Sequence, residues 1–197
     1  MIIPVAALTV LLLPLLLGGR TSRIAAVRLR HVAVIVAALG VQILIVELIT
    51  GPEALLQGAH IATYLAALWF LVVNRQIPGL WLIGLGAIAN GVTITLNGGT
   101  LPARAGALRA AGIDPDPDRF VNSGALAHPH LPWLGDVFAI PTPLPLANVF
   151  SIGDLLIIAG TGIAAWRILG TRWTTPWTPV ADPDRGSLPA DTLQANR

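Results

Sequence analysis

The chain has 197 residues, of which 54% are hydrophobic and only 11% are charged. An ordinary soluble domain has roughly 25% charged residues, and one core of this size could not bury so much apolar surface. The chain has no cysteine, which excludes disulfides, thiol catalysis and cysteine-ligated metals. Its twelve basic residues are all arginine and its net charge is +2, which indicates a GC-rich bacterial genome and gives no sign of nucleic-acid binding.

Five apolar segments follow one another along the chain. The first is followed by positive charge at Arg20, whereas a cleaved signal peptide carries its charge before the apolar run, so we expect a retained helix. The segments have about the length that crosses a bilayer. They predict an all-α integral membrane bundle of about five transmembrane helices within a domain of residues 1–170. The predicted spans are about 2–17, 32–50, 57–73, 77–96 and 148–169.

Two polar segments lie outside the predicted spans. Residues 97–147 form a long, proline-rich outer loop between the fourth and fifth spans, and residues 171–197 are predicted to be a disordered tail. Loops beyond about 12–15 residues are usually functional or disordered. In this loop, Ala103–Ala111 is typical of a short helix ended by Gly112. Trp133–Leu146 is apolar enough to predict a cap that folds back onto the membrane edge.

Arginine and tryptophan both indicate the orientation in the membrane. Nine of the twelve arginines fall in the first loop, the turn around Arg75 or the C-terminal segment, and cytoplasmic loops carry the excess of positive charge. All tryptophans except Trp133 fall near the same boundary, where tryptophan is enriched. We therefore expect a multi-pass protein of the cell membrane, with the N-terminus and the 97–147 loop outside and the C-terminus in the cytoplasm.

Polar residues near the outer ends of the fourth and fifth spans are the candidates for a ligand site. Asn90 and Asn97 are seven residues apart, on one helical face, which places Asn90 roughly 10 Å deeper. Asp154 would lie about 9 Å below Asn148 by the same helical rise. We expect Asn97 to meet Asn148 at the mouth and Asn90 to meet Asp154 below it. With Asp136 from the loop, these residues define a predicted outward-facing vestibule.

The vestibule has a structural alternative, and the sequence favours no metal. An ionisable residue inside a span is a functional candidate by default, but a hydrogen-bonded clamp between two helices explains the same residues. Asp114, Asp116 and Asp118 alternate as in a calcium loop, yet Arg119 stands where that loop needs glycine. The His128-Pro129-His130 run lacks helical ligand spacing. We therefore expect neither a metal nor a cofactor.

One short segment resembles an enzyme family. The run Asn148-Val149-Phe150-Ser151-Ile152-Gly153-Asp154 is similar to the segment that opens the last span of bacterial lipoprotein signal peptidases, although the order of Phe and Asn differs. In that family the Asp is one of two catalytic carboxylates, which act as a general acid and base. The resemblance implies Asp154 as a catalytic candidate, with Asp118 or Asp136 as the second carboxylate. Asp118-Arg119 is similar to that family's Asp-Arg pair, but the preceding Gly-Asn motif is missing.

A broader resemblance covers about residues 1–170. It is carried by four motifs, and it is to a family of small, mostly actinobacterial polytopic membrane proteins of unknown function. This resemblance implies a membrane protein without a known activity. The motifs are Leu17-Gly18-Gly19-Arg20, Leu96-Asn97-Gly98-Gly99-Thr100-Leu101-Pro102, Trp133-Leu134-Gly135-Asp136-Val137-Phe138 and Leu146–Asp154.

Three functions stay open from the sequence. The first is binding or passage of a small polar solute or ion through the vestibule, and we favour this non-enzymatic role. The second is a membrane-embedded two-aspartate hydrolase. The third is a ligand-free membrane scaffold whose helices touch through small residues. The expected partners are the lipid bilayer and a small polar solute or ion, without nucleic acid, and a homo-oligomer stays open. The small residues of the scaffold hypothesis are Ala87, Gly91, Gly160 and Ala164.

Overall fold

A computed structural model describes residues 2–47, 53–113 and 123–179, and these residues are mostly helical. A long helix lies in each of the five apolar segments, and a shorter helix lies between the last two. Four short strands occur between residues 101 and 150. The helices are α1 (Ile2–Leu16), α2 (Val32–Glu47), α3 (Glu53–Val73), α4 (Leu80–Leu96), α5 (Ala105–Ala111) and α6 (Ile152–Leu169).

The long helices pack in the spatial order α1, α6, α4, α3, α2. The contact between α4 and α6 is the most extensive, although α6 follows α4 only after the long segment that begins at Asn97. The two helices that carry the predicted polar residues are therefore direct neighbours near the middle of the row.

Three helix starts differ from the predicted spans, and the third helix begins at Glu53 and not at residue 57. The fourth helix begins at Leu80 and not at residue 77, because Gly79 is in the left-handed conformation, with φ of 85°. The last helix begins at Ile152 and not at residue 148, because Asn148–Phe150 is a β-strand and Ser151 is the helix N-cap. The expectation that Asn148 lies on the fifth span is therefore wrong.

The segment between α4 and α6 is folded, and we call its described residues, 101–113 and 123–150, the cap. Strand β1 (Leu101–Pro102) pairs in parallel with β2 (Ser123–Gly124). Strand β3 (Phe138–Ile140) pairs antiparallel with β4 (Asn148–Phe150), with Phe138 opposite Phe150.

Helix α5 supplies most of the small apolar core of the cap. It ends at Gly112, whose φ of 66° is left-handed, so the predicted helix and its glycine stop are confirmed. The face of α5 that carries Ala107, Leu108 and Ala111 is buried together with Ala103 and Val149. The cap therefore has a core of its own, which a mere connecting loop would lack.

By length and hydropathy, one helix of the described residues qualifies as a membrane span. This helix is α6, Ile152–Leu169, and only 22% of it is buried inside the structure. Three further apolar stretches are shorter: Val32–Ile45, Ile61–Val73 and Leu80–Leu96. The structure therefore shows a mostly helical fold with one helix that meets this test among the described residues.

The C-terminal end of α6 is contacted by Arg23 of the first loop and by residues that follow the helix. Arg23 donates a hydrogen bond from Nη1 to the carbonyl oxygen of Leu169 at 2.8 Å. The amide of Trp177 donates to the carbonyl oxygen of Arg167 at 2.7 Å. The first residues of the predicted tail, 171–179, thus contact the helix, while 180–197 lie outside the described residues.

Candidate functional site

Three side chains form a closed set of hydrogen bonds where α4 meets the start of α6, and we call them the polar junction: Asn90, Ser151 and Asp154. The Asn90 amide donates to Oδ1 of Asp154 at 2.9 Å. The Ser151 hydroxyl donates to Oδ1 of Asn90 at 2.9 Å. The predicted contact between Asn90 and Asp154 is therefore confirmed.

The local sequence of α6 explains why Asp154 points to the junction. Ser151 is the N-cap, and its hydroxyl accepts a hydrogen bond from the Asp154 amide at 3.0 Å. In return, Oδ2 of Asp154 accepts from the Ser151 amide at 2.9 Å. This is a capping box, which satisfies two free amides at the start of a helix. Asp154 thus lies in the first turn of α6. It is closer to the start of the helix than a span beginning at residue 148 implied.

Glycines let α4 and α6 approach closely enough for the junction to form. A Cβ at Gly153 would overlap the Asn90 amide oxygen, and one at Gly160 would lie 2.6 Å from the carbonyl oxygen of Gly79. A Cβ at Gly86 would overlap the carbonyl oxygen of Gly153. Gly153 and Gly160 of α6 therefore face Gly86 of α4 and Gly79 at its N-cap, and this close approach at two levels is typical of helix pairs in membranes.

The small residues that we expected at helix contacts are only partly the ones used. Gly160 lies in the α4–α6 contact as expected, and the backbone of Ala164 lies near Gly79. Gly91 instead faces the ring of Tyr64 on α3. The sequence signal that was overlooked is the seven-residue spacing of glycines on both helices.

Asp136 of the cap is the second carboxylate of the site. Its side chain is 4% exposed and accepts a hydrogen bond from the Ser123 hydroxyl. Its backbone amide donates to the carbonyl oxygen of Pro102 at 2.9 Å, and its carbonyl oxygen accepts from the Arg104 amide at 3.0 Å. These bonds tie the Asp136 backbone to the residues on either side of Ala103, with which it forms a parallel bridge. Ser123 was missed from the sequence, because nothing in a loop predicts which distant residue it meets.

Burial and a neighbouring charge alter the titration of Asp136. Its pKa is raised from 3.8 to about 6, with burial as the largest cause. The hydrogen bond from Ser123 lowers the pKa, and the negative charge of Asp154 raises it. Because the charge of Asp154 raises the pKa of Asp136, the two carboxylates are electrostatically coupled, and we call Asp136 and Asp154 the acid pair. No basic side chain among the described residues contributes to this pKa.

Asn97 and Asn148 do not meet each other as expected. The Asn97 amide oxygen accepts from the His130 amide at 2.7 Å, and its nitrogen donates to the His130 carbonyl oxygen at 2.8 Å. Asn148 lies in β4 opposite Ile140. Asn97 therefore ties the end of α4 to the cap backbone. The physical reason for the correction is that residues 148–150 extend as a strand, which carries Asn148 off the helical face.

The chemistry that the site offers depends on which of the candidate carboxylates and metal ligands the structure places there. Asp118 lies outside the described residues, so of the three catalytic candidates the structure places Asp136 and Asp154. No group of three or more His, Asp or Glu residues in the described ranges has the arrangement of a metal site. What the structure assembles is a buried carboxylate, Asp136, that is electrostatically coupled to Asp154, both of whose carboxylate oxygens accept hydrogen bonds. Such a pair can hold a shared proton or a small cation.

The comparisons with known proteins cover this site. A family model with the description "Family of unknown function (DUF5317)" matches residues 26–166. The chain belongs to this family. The chain is also 28% identical to an uncharacterized protein of Thermotoga maritima over 131 residues, which are 66% of this chain and 73% of that relative. No solved structure matches the chain.

The DUF5317 match confirms the resemblance to a family of unknown function. The matched range contains α4, the cap and most of α6, so the polar junction and Asp136 all lie within the family region. Neither description names an activity.

Proposed function

We propose that the chain is a multi-pass membrane protein whose five long helices lie in the bilayer, with the cap outside. In this proposal the acid pair, Asp136 and Asp154, binds a small cation or a small cationic solute at the junction of cap and helices. Exposed apolar side chains support the membrane placement, and the acid pair supports the ligand.

The exposed side chains of the long helices support the membrane placement. Large apolar residues on every one of these helices are open to the surroundings, with Leu55 69% and Leu65 62% exposed. Soluble monomers rarely expose contiguous apolar patches beyond a few hundred Å². Lipid removes the cost of this exposure. Other examples are Leu8, Leu12, Val36, Ile43, Val72, Leu85, Val92 and Ile163.

The observation that carries the ligand proposal is the electrostatic coupling of two carboxylates that have no salt-bridge partner among the described residues. Asp136 is buried and senses the charge of Asp154, and among the described residues neither carboxylate forms a salt bridge. Two neighbouring like charges at low dielectric are costly unless a proton or cation joins them. The carboxylate, hydroxyl and amide oxygens around them are ligands that hard cations prefer.

A two-aspartate hydrolase is the second candidate, and the unequal environments of the acid pair favour it. Asp154 accepts hydrogen bonds from Asn90 and from the Ser151 amide, while the pKa of Asp136 is raised. A carboxylic acid whose pKa is raised is suited to act as a general acid, with a second carboxylate as the base. The resemblance of the Asn148–Asp154 run to lipoprotein signal peptidases points to the same Asp154.

A ligand-stability screen of the purified protein tests the proposal. We expect one member of a panel of Na⁺, K⁺, Mg²⁺, Ca²⁺ and small amines to raise the melting temperature, since a ligand stabilises the state that it binds. Asp136→Asn and Asp154→Asn should abolish that increase. Glu53→Gln, which removes a carboxylate at the first residue of α3, is the control and should keep it.

The other outcomes separate the alternatives. Cleavage of a membrane-inserted lipopeptide by the wild type, lost in both Asp→Asn variants, would favour the hydrolase. If no member of the panel raised the melting temperature, and if Asp136→Asn melted as the wild type does at every pH, a ligand site would be contradicted. The scaffold hypothesis would then be the one that remains.

A further inference from the structure

A second polar site lies at the opposite end of the bundle from the cap. A cavity of about 780 Å³ is lined by residues before α2 and residues of the turn between α3 and α4. We call it the inner cavity. Its lining contains two arginines, a histidine, a glutamine and a tryptophan, and no acidic residue. The lining residues are Arg30, His31, Val73, Arg75, Gln76 and Trp81.

A buried asparagine holds the two walls of the inner cavity together. The Arg30 amide donates to Oδ1 of Asn74 at 2.8 Å, and the Asn74 side-chain amide donates to the Arg30 carbonyl oxygen at 3.1 Å. Asn74 also donates to the carbonyl oxygen of Phe70 at 2.8 Å and is 0% exposed. The loop that carries Arg30 is therefore fixed against the turn that carries Arg75.

The arginine side chains of the inner cavity are available for an anion. Neither Arg30 nor Arg75 uses its guanidinium in a hydrogen bond or salt bridge within the described part of the chain, and both are exposed. Arg23, in the same loop, is by contrast used to hold the Leu169 carbonyl oxygen. Two unpaired guanidinium groups on backbone segments that Asn74 ties together suit phosphate, which arginine binds through paired hydrogen bonds.

The surroundings of the arginines favour a phosphate at a membrane boundary. Helix α2 begins directly after His31, so the partial positive charge of its N-terminus adds to the two arginines. Trp81 is 59% exposed beside the cavity, and the His31 ring packs on Trp69 at 4.9 Å between centroids. Exposed tryptophan is typical of the headgroup region, and basic pockets between helices on the cytoplasmic side bind anionic headgroups.

We propose that the inner cavity binds a phosphate group through Arg30 and Arg75, and that an anionic phospholipid headgroup supplies it. The location at the inner membrane boundary rests on the membrane arrangement proposed above. Phosphate binding in detergent does not depend on that arrangement, nor on the acid pair, so the two proposals fail separately.

The test measures binding to the full chain in neutral detergent micelles with three probes: phosphatidylglycerol, phosphatidylcholine and inorganic phosphate. We expect the wild type to bind phosphatidylglycerol in preference to phosphatidylcholine. Each of Arg30→Gln and Arg75→Gln should weaken binding about fivefold, the typical contribution of one basic residue near anionic lipid. Gln76→Glu, which adds a negative charge at an exposed position, should weaken it as well.

Arg28→Gln is the matched control, because Arg28 is exposed in the same loop but does not line the cavity. It should bind phosphatidylglycerol as the wild type does, and all variants should keep the wild-type melting temperature without lipid. Equal binding of inorganic phosphate, lost in the same variants, would support the phosphate site and overturn the lipid as its source. Equal weakening by Arg28→Gln, or no preference for phosphatidylglycerol or phosphate, would overturn the proposal.

Discussion

At the residue scale, the polar junction is where the sequence was most informative. The heptad spacing and helical rise predicted that Asn90 would meet Asp154, and the structure joins them at 2.9 Å. One premise of that prediction was wrong, because Asn148 lies in a strand. The pairing is present nonetheless, because the capping box at Ser151 directs Asp154 toward α4. Helical geometry is thus predictable from spacing, whereas the exact start of a helix depends on its cap.

A double-mutant cycle measures the strength of this pair. Asn90→Ala should lower the free energy of unfolding by about 1–2 kcal/mol more in the wild type than in an Asp154→Leu background, since the bond exists only in the former. Thermal or chemical unfolding in detergent gives the four values. Thr95→Ala on the same helix is the control: its hydroxyl bonds only the Gly91 carbonyl oxygen, so its effect should be additive with Asp154→Leu. Additive losses for Asn90→Ala as well would show that the bond contributes nothing.

The raised pKa of Asp136 predicts a pH dependence of stability. The folded chain holds the Asp136 proton up to a pH of about 6, whereas the unfolded chain loses it near 3.8. The folded state therefore binds more protons in this window, and the free energy of unfolding should fall as the pH rises through it. The expected fall is about 1–3 kcal/mol, complete above the folded-state pKa.

The comparison with Asp136→Asn isolates this effect from other titrating groups. The difference in melting temperature between the wild type and the variant should change between pH 4 and pH 7, with the wild type relatively more stable at the lower pH. A difference that stays constant over this range would mean that Asp136 titrates at its ordinary value.

At the scale of elements, the contact between α4 and α6 depends on glycine. Gly153→Ala places a methyl group onto the Asn90 amide oxygen and 2.8 Å from the carbonyl oxygen of Gly86. We expect a loss of about 2 kcal/mol or more, because overpacking forces backbone shifts. Gly40→Ala is the matched control: it lies in α2 with no atom within 4 Å of its added Cβ, and it should be neutral or stabilising by about 0.5–1 kcal/mol. Equal effects of the two changes on thermal unfolding would exclude a close glycine contact.

The cap shows which elements sequence reasoning can and cannot find. Helix α5 and its Gly112 stop are local features and were predicted from local residues. Strands β1 to β4 have two or three residues each, too short for an alternating pattern, and their partners come from distant parts of the loop. The same limit applies to Ser123 and Asp136, which only the folded cap brings together.

The small core of the cap predicts resistance to proteolysis. Leu108 is 4% exposed at the centre of this core, and Leu108→Ala should cost about 2–4 kcal/mol of local stability. Limited proteolysis of the purified wild type should leave the chain around Phe138 intact, and the variant should be cut there. Leu126→Ala, at a side chain that is 36% exposed, should behave as the wild type. Rapid wild-type cleavage at Phe138 would contradict an ordered cap.

At the scale of the whole molecule, the five long helices and the row in which they pack make a bundle whose outer surface is apolar. The sequence predicted helices in these segments because their long apolar composition favours a helix over other secondary structures. Membrane placement stays a proposal, because by length and hydropathy α6 alone, among the described residues, qualifies as a span. The proposed orientation rests on the arginines at the end opposite the cap, which outnumber those in the cap, Arg104 and Arg109, by seven to two among the described residues.

The absence of native cysteine makes this arrangement directly measurable. Single cysteines introduced as Arg28→Cys, Arg75→Cys and His128→Cys place one thiol in the first loop, one in the turn between α3 and α4 and one in the cap. All three positions are exposed. A membrane-impermeant thiol reagent applied to intact cells should label His128→Cys in the cap and should label the other two only after the membrane is opened. Labelling of residue 75 from outside, or equal labelling of all three positions in intact cells, would contradict the proposed membrane arrangement.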